Sequence, residues 1–333
     1  MAAIAHTLPI PGSCAGSESG AVQASRPPAS NRAAQAGSRS GSRSGSLSDA
    51  QLARLAVEAL IDEAQLTPKP ALVDRRGSGA HRDLDLAKMI RSAHALEATF
   101  VALARTARAQ IPSATLRAEL AQIGRSGENA MMQATDGSNA HRGAIWIVGL
   151  LVAGAAICDT PWPGPDRLPA APALRICQTA ARIACFPDRF AAPANSNGER
   201  VRRRYRVGGA RLEAQEGFPH VVDTGLPALA SAREKGIAED AARIDTLLAI
   251  MASLDDTCLL HRAGLAGLRA GQHGARRVLE RGGMSSAPGR SEFAILESEL
   301  MSLNASPGGA ADLLAATLFI DKLAVHHASR SAA

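Results

Sequence analysis

Apolar residues return at helical spacing along most of this chain. Leu52, Leu55, Ala56, Ala59 and Leu60 share one face of a helix expected from Ser48 to about Leu66. Ser48 with Gln51 three residues on has the pattern of a capping box. The same periodicity predicts a long helix from about Asp83 to Arg108, then helices near 113–134, 143–158, 171–186, 226–253, 256–281, 291–303 and 310–327. Gly, Pro and Asn mark loops at 136–142, 159–170, 190–224 and 304–309. Strand-like alternation is confined to a weak stretch near Val201–Val207. The pattern predicts one all-α domain over residues 48–328, with roughly eight to ten helices. Residues 1–47 are rich in Ser, Gly, Ala and Pro, cannot bury enough apolar surface to offset chain entropy, and are expected to be a disordered tail.

Composition strengthens the helical expectation: alanine and leucine dominate, while aromatics make up 3% of the 333 residues. The net charge of +6 points to anionic partners, but part of it sits in the first 48 residues, whose arginines face no aspartate and only Glu18. The one strong basic run, Arg200 to Arg206, carries a single aromatic, so nucleic acid is not expected as a partner. Five scattered cysteines without a CxxC pair imply neither a zinc site nor a disulfide framework, and suit reduced thiols of a cytoplasmic protein. Neither a secretory signal nor a membrane span is expected: the longest apolar stretch, Gly143 to Cys158, reads as a buried core helix.

Five polar or glycine-bearing clusters interrupt the apolar pattern. The first runs through Thr67-Pro68-Lys69-Pro70-Ala71-Leu72-Val73-Asp74 and Gly79-Ala80-His81-Arg82-Asp83-Leu84-Asp85. Its prolines stiffen a loop around one lysine, with Asp74, Asp83, Asp85 and His81 close in sequence. Taken singly, Asp83 reads as a helix cap and Asp85 as a first-turn residue, whereas Lys69 caps no helix and has no evident ion-pair partner nearby. The second cluster is Gly137 to Gly143, with Asn139, His141 and Arg142. The third is Arg211 to Pro219, with Glu213; the fourth joins Asp255-Asp256-Thr257 to His261-Arg262. The fifth, Asn304-Ala305-Ser306-Pro307-Gly308-Gly309-Ala310-Ala311-Asp312, runs into the last helix and reads either as a phosphate cradle or as an ordinary helix start capped by Ser306. Many carboxylates, several Arg and Lys groups and a glycine-rich helix start together suit a Mg²⁺-dependent enzyme acting on a polyphosphorylated substrate.

In their order and wording these blocks resemble the triphosphoribosyl-dephospho-CoA synthases, whose usual forms read TPKPGLVD, GxHxDM, NTHKGAIF and GEAxxGFP. The likeness spans about residues 50–325, with departures at Ala71, Leu84, Leu212, Cys258 and Ala263. It implies a pentosyltransferase that makes 2′-(5″-triphosphoribosyl)-3′-dephospho-CoA and adenine from ATP and 3′-dephospho-CoA. The product would feed a phosphoribosyl-dephospho-CoA transferase that loads the acyl carrier subunit of malonate decarboxylase or citrate lyase, the former being the expectation here. On that footing the expected Mg²⁺ ligands are Asp74, Asp83 and Asp85, and the expected triphosphate contacts are Lys69 and Arg142. Arg262, Asn304, Ser306, Gly308 and Gly309 complete the expected nucleotide-binding set. Glu213 or Asp256 is the expected base for the acceptor 2′-hydroxyl, and His81 or His141 the expected acid or donor near adenine. An oligomer is compatible with this reading. The competing readings are a Mg²⁺-dependent N-glycosyl hydrolase of nucleotides or ADP-ribose adducts, and a non-catalytic partner of a carrier protein.

Overall fold

The computed structural model describes residues 47–158, 170–190 and 196–331. All of the expected tail but Leu47, and most of the 159–170 loop, lie outside these residues. All described residues belong to one unit, and among them no strand forms; Asp74 and Gly77 make an isolated bridge.

The chain enters through α1 (Asp49–Gln65), whose capping box forms as expected: Gln51 N–H donates to Ser48 Oγ, and Ser48 N–H to Gln51 Oε1. The expected long helix is two, α2 (Leu86–Ala95) and α3 (Glu97–Ala107), which break at Leu96. Both halves pack on α1 and on α4 (Ala114–Ala134). α5 (Arg142–Cys158) is buried along most of its length and packs on α3, on α6 (Ala170–Ala184) and on the last helix, α13 (Gly308–Ser331). A helix apolar all round belongs in the interior, so the reading of 143–158 as core is correct.

The expected 190–224 loop is largely helical: α7 (Asn197–Tyr205), α8 (Gly209–Gln215) and a π turn over His220–Gly225 occupy it. The weak strand signal near 201–207 falls on α7. The expected 226–253 helix divides into α9 (Leu226–Glu234) and α10 (Glu239–Ser253), separated by Gly236 at φ +70°. Then follow α11 (Thr257–Glu280), kinked at Gly264, and α12 (Ala287–Ser302). None of the helices among the described residues is long and apolar enough to cross a membrane. For the site, what matters is that the N-termini of α5, α7, α11 and α13 meet near the C-terminus of α1.

Candidate active site

The Pro-Lys-Pro loop is held from within. Lys69 is fully buried, and its Nζ donates to both Glu63 Oε1 and the Glu63 carbonyl at 2.6 Å. Its partner therefore sits six residues back on α1, and the lysine does close the end of that helix, against expectation. Lys69 N–H donates to Asp74 Oδ2, while the Arg76 backbone and guanidinium also bond Asp74 and reach Glu297 on α12. Asp74 is thus the loop's organiser. Ala71, where relatives by resemblance carry glycine, holds φ +56°. Gly79 lies against it so tightly that a Cβ there would stand 2.5 Å from the Ala71 carbonyl oxygen. His81 Nε2 meets Ser306 Oγ at 2.8 Å, tying the loop to the start of α13. Asp85 caps α2 by accepting from Lys88 N–H, so the cap is two residues later than Asp83.

A second set of bonds ties the later clusters together. Both carboxylate oxygens of Asp256 accept backbone amides: Cys258 and Leu259 at the start of α11, and Ala310 of α13. Gly308 and Gly309 make this approach possible, since a Cβ would stand 3.0 Å from Cys258 Sγ or from Asp256 Oδ1. Arg262 donates to the Asn304 carbonyl and side chain and to the Ala80 carbonyl, with no carboxylate in ion-pair range among the described residues. Asn304 takes φ +50°, a conformation its short amide tolerates. Glu213 on α8 is buried and accepts both the backbone N–H and Nδ1 of His220. Arg142 pairs with Glu128. His141 places Nδ1 2.7 Å from Ser92 Oγ of α2.

These groups surround one cavity of about 640 Å³, a volume suited to a nucleotide. Lys69, His81, Asp83, His141, Arg142, Glu213, Asp256, Arg262, Asn304, Ser306, Gly308 and Gly309 all line it. Among the expected site residues, Asp74 and Asp85 do not. The three expected metal ligands are therefore not brought together: one is spent inside the loop and one on a helix cap. No group of three or more His, Cys, Asp or Glu among the described residues is arranged to hold a metal.

A family model for ATP:dephospho-CoA triphosphoribosyl transferases matches residues 49–331. The chain belongs to this family. A protein of Pseudomonas paraeruginosa named as a probable 2-(5''-triphosphoribosyl)-3'-dephosphocoenzyme-A synthase is 56% identical over 274 residues, 82% of this chain and 90% of that protein. One of Azotobacter vinelandii with the same name is 56% identical over 276 residues, covering 82% and 91%. A Klebsiella pneumoniae protein named 2-(5''-triphosphoribosyl)-3'-dephosphocoenzyme-A synthase is 51% identical over 273 residues, covering 82% and 94%. No solved structure matches the chain.

In this triphosphoribosyl transferase the cavity wall also holds groups that the sequence reading passed over. Asp312, in the first turns of α13, packs against the start of α5, where a Cβ on Gly143 would collide with its carboxylate. Burial, and then the charges of Glu63 and Asp256, push its carboxyl well above the usual range. Burial likewise raises Asp256, against the lowering effect of its backbone amides. The two histidines move the other way. Burial, with Arg262 nearby, lowers His81 to about 4; burial, with Lys69 nearby, lowers His141 to about 3. Both imidazoles are therefore neutral at pH 7. His220 is raised, chiefly by its bond to Glu213. A signal for Glu63 existed: it extends the apolar face of α1 by one further turn, a place where an acid needs a partner. Asp312 stood at the end of the fifth cluster, an isolated acid entering an apolar helix.

Proposed function

We propose that the protein transfers the 5-triphosphoribosyl group of ATP to the 2′-hydroxyl of 3′-dephospho-CoA, releasing adenine. The observation that carries this reading is that all five sequence blocks of the family converge on one nucleotide-sized cavity. In the reaction the ribose C1–N9 bond breaks and a C1–O2′ bond forms. The acceptor hydroxyl gives its proton to a base, and adenine leaves carrying a proton at the ring.

Glu213 suits the base better than Asp256. Asp256 already accepts three amides on its two oxygens, whereas Glu213 is held by one histidine whose raised affinity for protons can follow the charge on the carboxylate. Arg262 is the fixed cation for phosphate oxygens, because its bonds go to neutral groups and leave its charge uncompensated. Arg142 stands on the same wall, paired with Glu128, which a phosphate would have to displace. The N-termini of α5, α7, α11 and α13 add positive dipole ends around the same space. Lys69, spent on Glu63, neutralises the floor of the cavity.

Magnesium fits part of the donor set. Asp312 has no Lys or Arg within ion-pair range among the described residues, and Asp83 lines the same cavity, so these two, with Asp312 giving up its proton to the metal, would hold a Mg²⁺ arriving with the triphosphate and neutralise its charge. The deciding experiment supplies ATP, Mg²⁺ and 3′-dephospho-CoA and follows adenine by chromatography. Adenine appearing only with the acceptor supports the transferase. Adenine without acceptor turns the reading to an N-glycosyl hydrolase, and no adenine in either case removes it.

A further inference from the structure

His141 is almost completely buried and lines the cavity, and among the described residues its Nε2 has no hydrogen-bond partner. A buried polar atom left open on a cavity wall calls for an explanation. Ser92 supplies half of it. This residue has no exposed surface, and its hydroxyl bonds His141 Nδ1 at 2.7 Å.

Two arrangements of the protons are possible for a neutral ring. If Nδ1 carries the proton, Ser92 Oγ accepts it. The serine proton and the Nε2 lone pair are then both buried without partners. If Nε2 carries the proton, Ser92 donates to Nδ1, and only the Nε2–H remains open. The second arrangement leaves one orphan instead of two. It also turns that orphan into a donor at the place where a substrate acceptor would come.

We propose that Ser92 is a positioning residue that fixes His141 as the Nε2–H tautomer, so that His141 presents a neutral hydrogen-bond donor to the nucleotide in the cavity and does not act as a proton-transferring acid. The proposal rests on the cavity binding ATP, but its structural half does not. Lys69 is the charged group facing the ring, and an ammonium there opposes formation of an imidazolium. A fixed donor that need not change charge costs no reorganisation when electron density builds on the departing base.

The tautomer is read directly by ¹⁵N NMR of the free, histidine-labelled protein, with His141→Gln identifying the signal by its loss. The expected signature at pH 7 is a bare Nδ1 and a protonated Nε2. Ser92→Ala should shift it toward a mixture, and Ser92→Thr should restore it. An Nδ1–H ring, an imidazolium, or a signature unchanged in Ser92→Ala would overturn the assignment. Activity tests the use of the donor. Glutamine can place an N–H near the Nε2 position but cannot act as an acid. Hence His141→Gln should keep kcat within about tenfold, while His141→Ala loses about 100-fold. Equal losses in both variants would sink the donor role. Should adenine never be released while the Nε2–H signature holds, the function reading fails and the tautomer assignment stands.

Discussion

Two groups of charged residues in this fold obey opposite rules. Around α9, α10, α13 and α1, Arg233 pairs with Glu239 and Asp321, Arg243 with Glu239 and Asp62, and Lys322 with Asp62. Each charge there has an opposite one beside it, and most of the pairs keep some access to water. The cavity wall is arranged otherwise. Among the described residues, Glu63, Asp256 and Asp312 stand together against the ammonium of Lys69, Arg262 has no carboxylate in ion-pair range, and His141 has an open nitrogen. The first group is complete without a ligand. The second is balanced only when something fills it, and that difference separates a surface staple from a site.

The sharpest way to break the contrast is at Lys69. Lys69→Met strands the Glu63 carboxylate in the interior, and loss of one partner from a buried pair should lower stability by about 3–5 kcal/mol. Chemical denaturation checks this, and a loss under about 1 kcal/mol would show that Glu63 is not held by the lysine. Asp312→Asn should act in the reverse sense. It replaces a buried acid whose ionisation is opposed by burial and like neighbours, so stability at neutral pH should rise by about 1–2 kcal/mol, as often happens when a strained functional group is relieved. Adenine release should meanwhile fall about 100-fold. If Asp312→Asn were both less stable and fully active, the cavity would be an ordinary part of the core.

The pH dependence of stability separates the two groups further. Glu239 is held down to about 2, chiefly by its bond to Arg233, so its contribution is present above the ordinary carboxylate range and disappears as pH falls toward 2. His141 also has a lowered proton affinity, but its window lies higher. The unfolded chain takes up that proton near pH 6.5 and the folded chain only near 3, so stability falls as pH drops through that interval, by up to about 1.4 kcal/mol per unit. In His141→Gln the slope of stability between pH 6 and 4 should become shallower by roughly this amount; an unchanged slope would mean the ring is already charged in the fold.

How far the sequence alone could see depended on whether the cause was local. The capping box at Ser48 and the apolar run of α5 depend on neighbours in the chain, and both formed as expected. The break at Leu96 has no proline or glycine to announce it, whereas the one before α10 falls at Gly236, which takes φ +70°. The Gly- and Arg-rich stretch holding α7 and α8 looks like loop because its apolar residues are few, yet Val201 and Ala214 are buried and suffice to seat it. In the site, the blocks were legible as a group, but their duties were not. Lys69 looked unpaired because its partner lies in the preceding helix; Asp74 looked like a ligand because its loop contacts leave no trace in spacing. Asp312 and Ser92 matter through neighbours far away in sequence, Asp256 for the one and His141, 49 residues on, for the other.

The smallest expected changes test the loop and the surface separately. Ala71→Gly should stabilise the fold by about 0.5–1 kcal/mol, because the side chain at φ +56° costs about 1–2 kcal/mol and glycine's greater freedom in the unfolded chain returns part of it. At Ala263, another departure from the family's glycine, no such gain is expected, since the left-handed conformation falls on Gly264 instead. Glu239→Gln completes the contrast from the other side. Arg233 retains Asp321 and Arg243 retains Asp62, and the pairs are open enough to water for solvent to screen them. A loss of at most about 1 kcal/mol at neutral pH is expected, shrinking further at high salt, with adenine release unchanged. Thermal melts at low and high ionic strength, run beside the adenine assay, decide it. A loss of activity here would tie the outer network to the cavity and dissolve the distinction between staple and site.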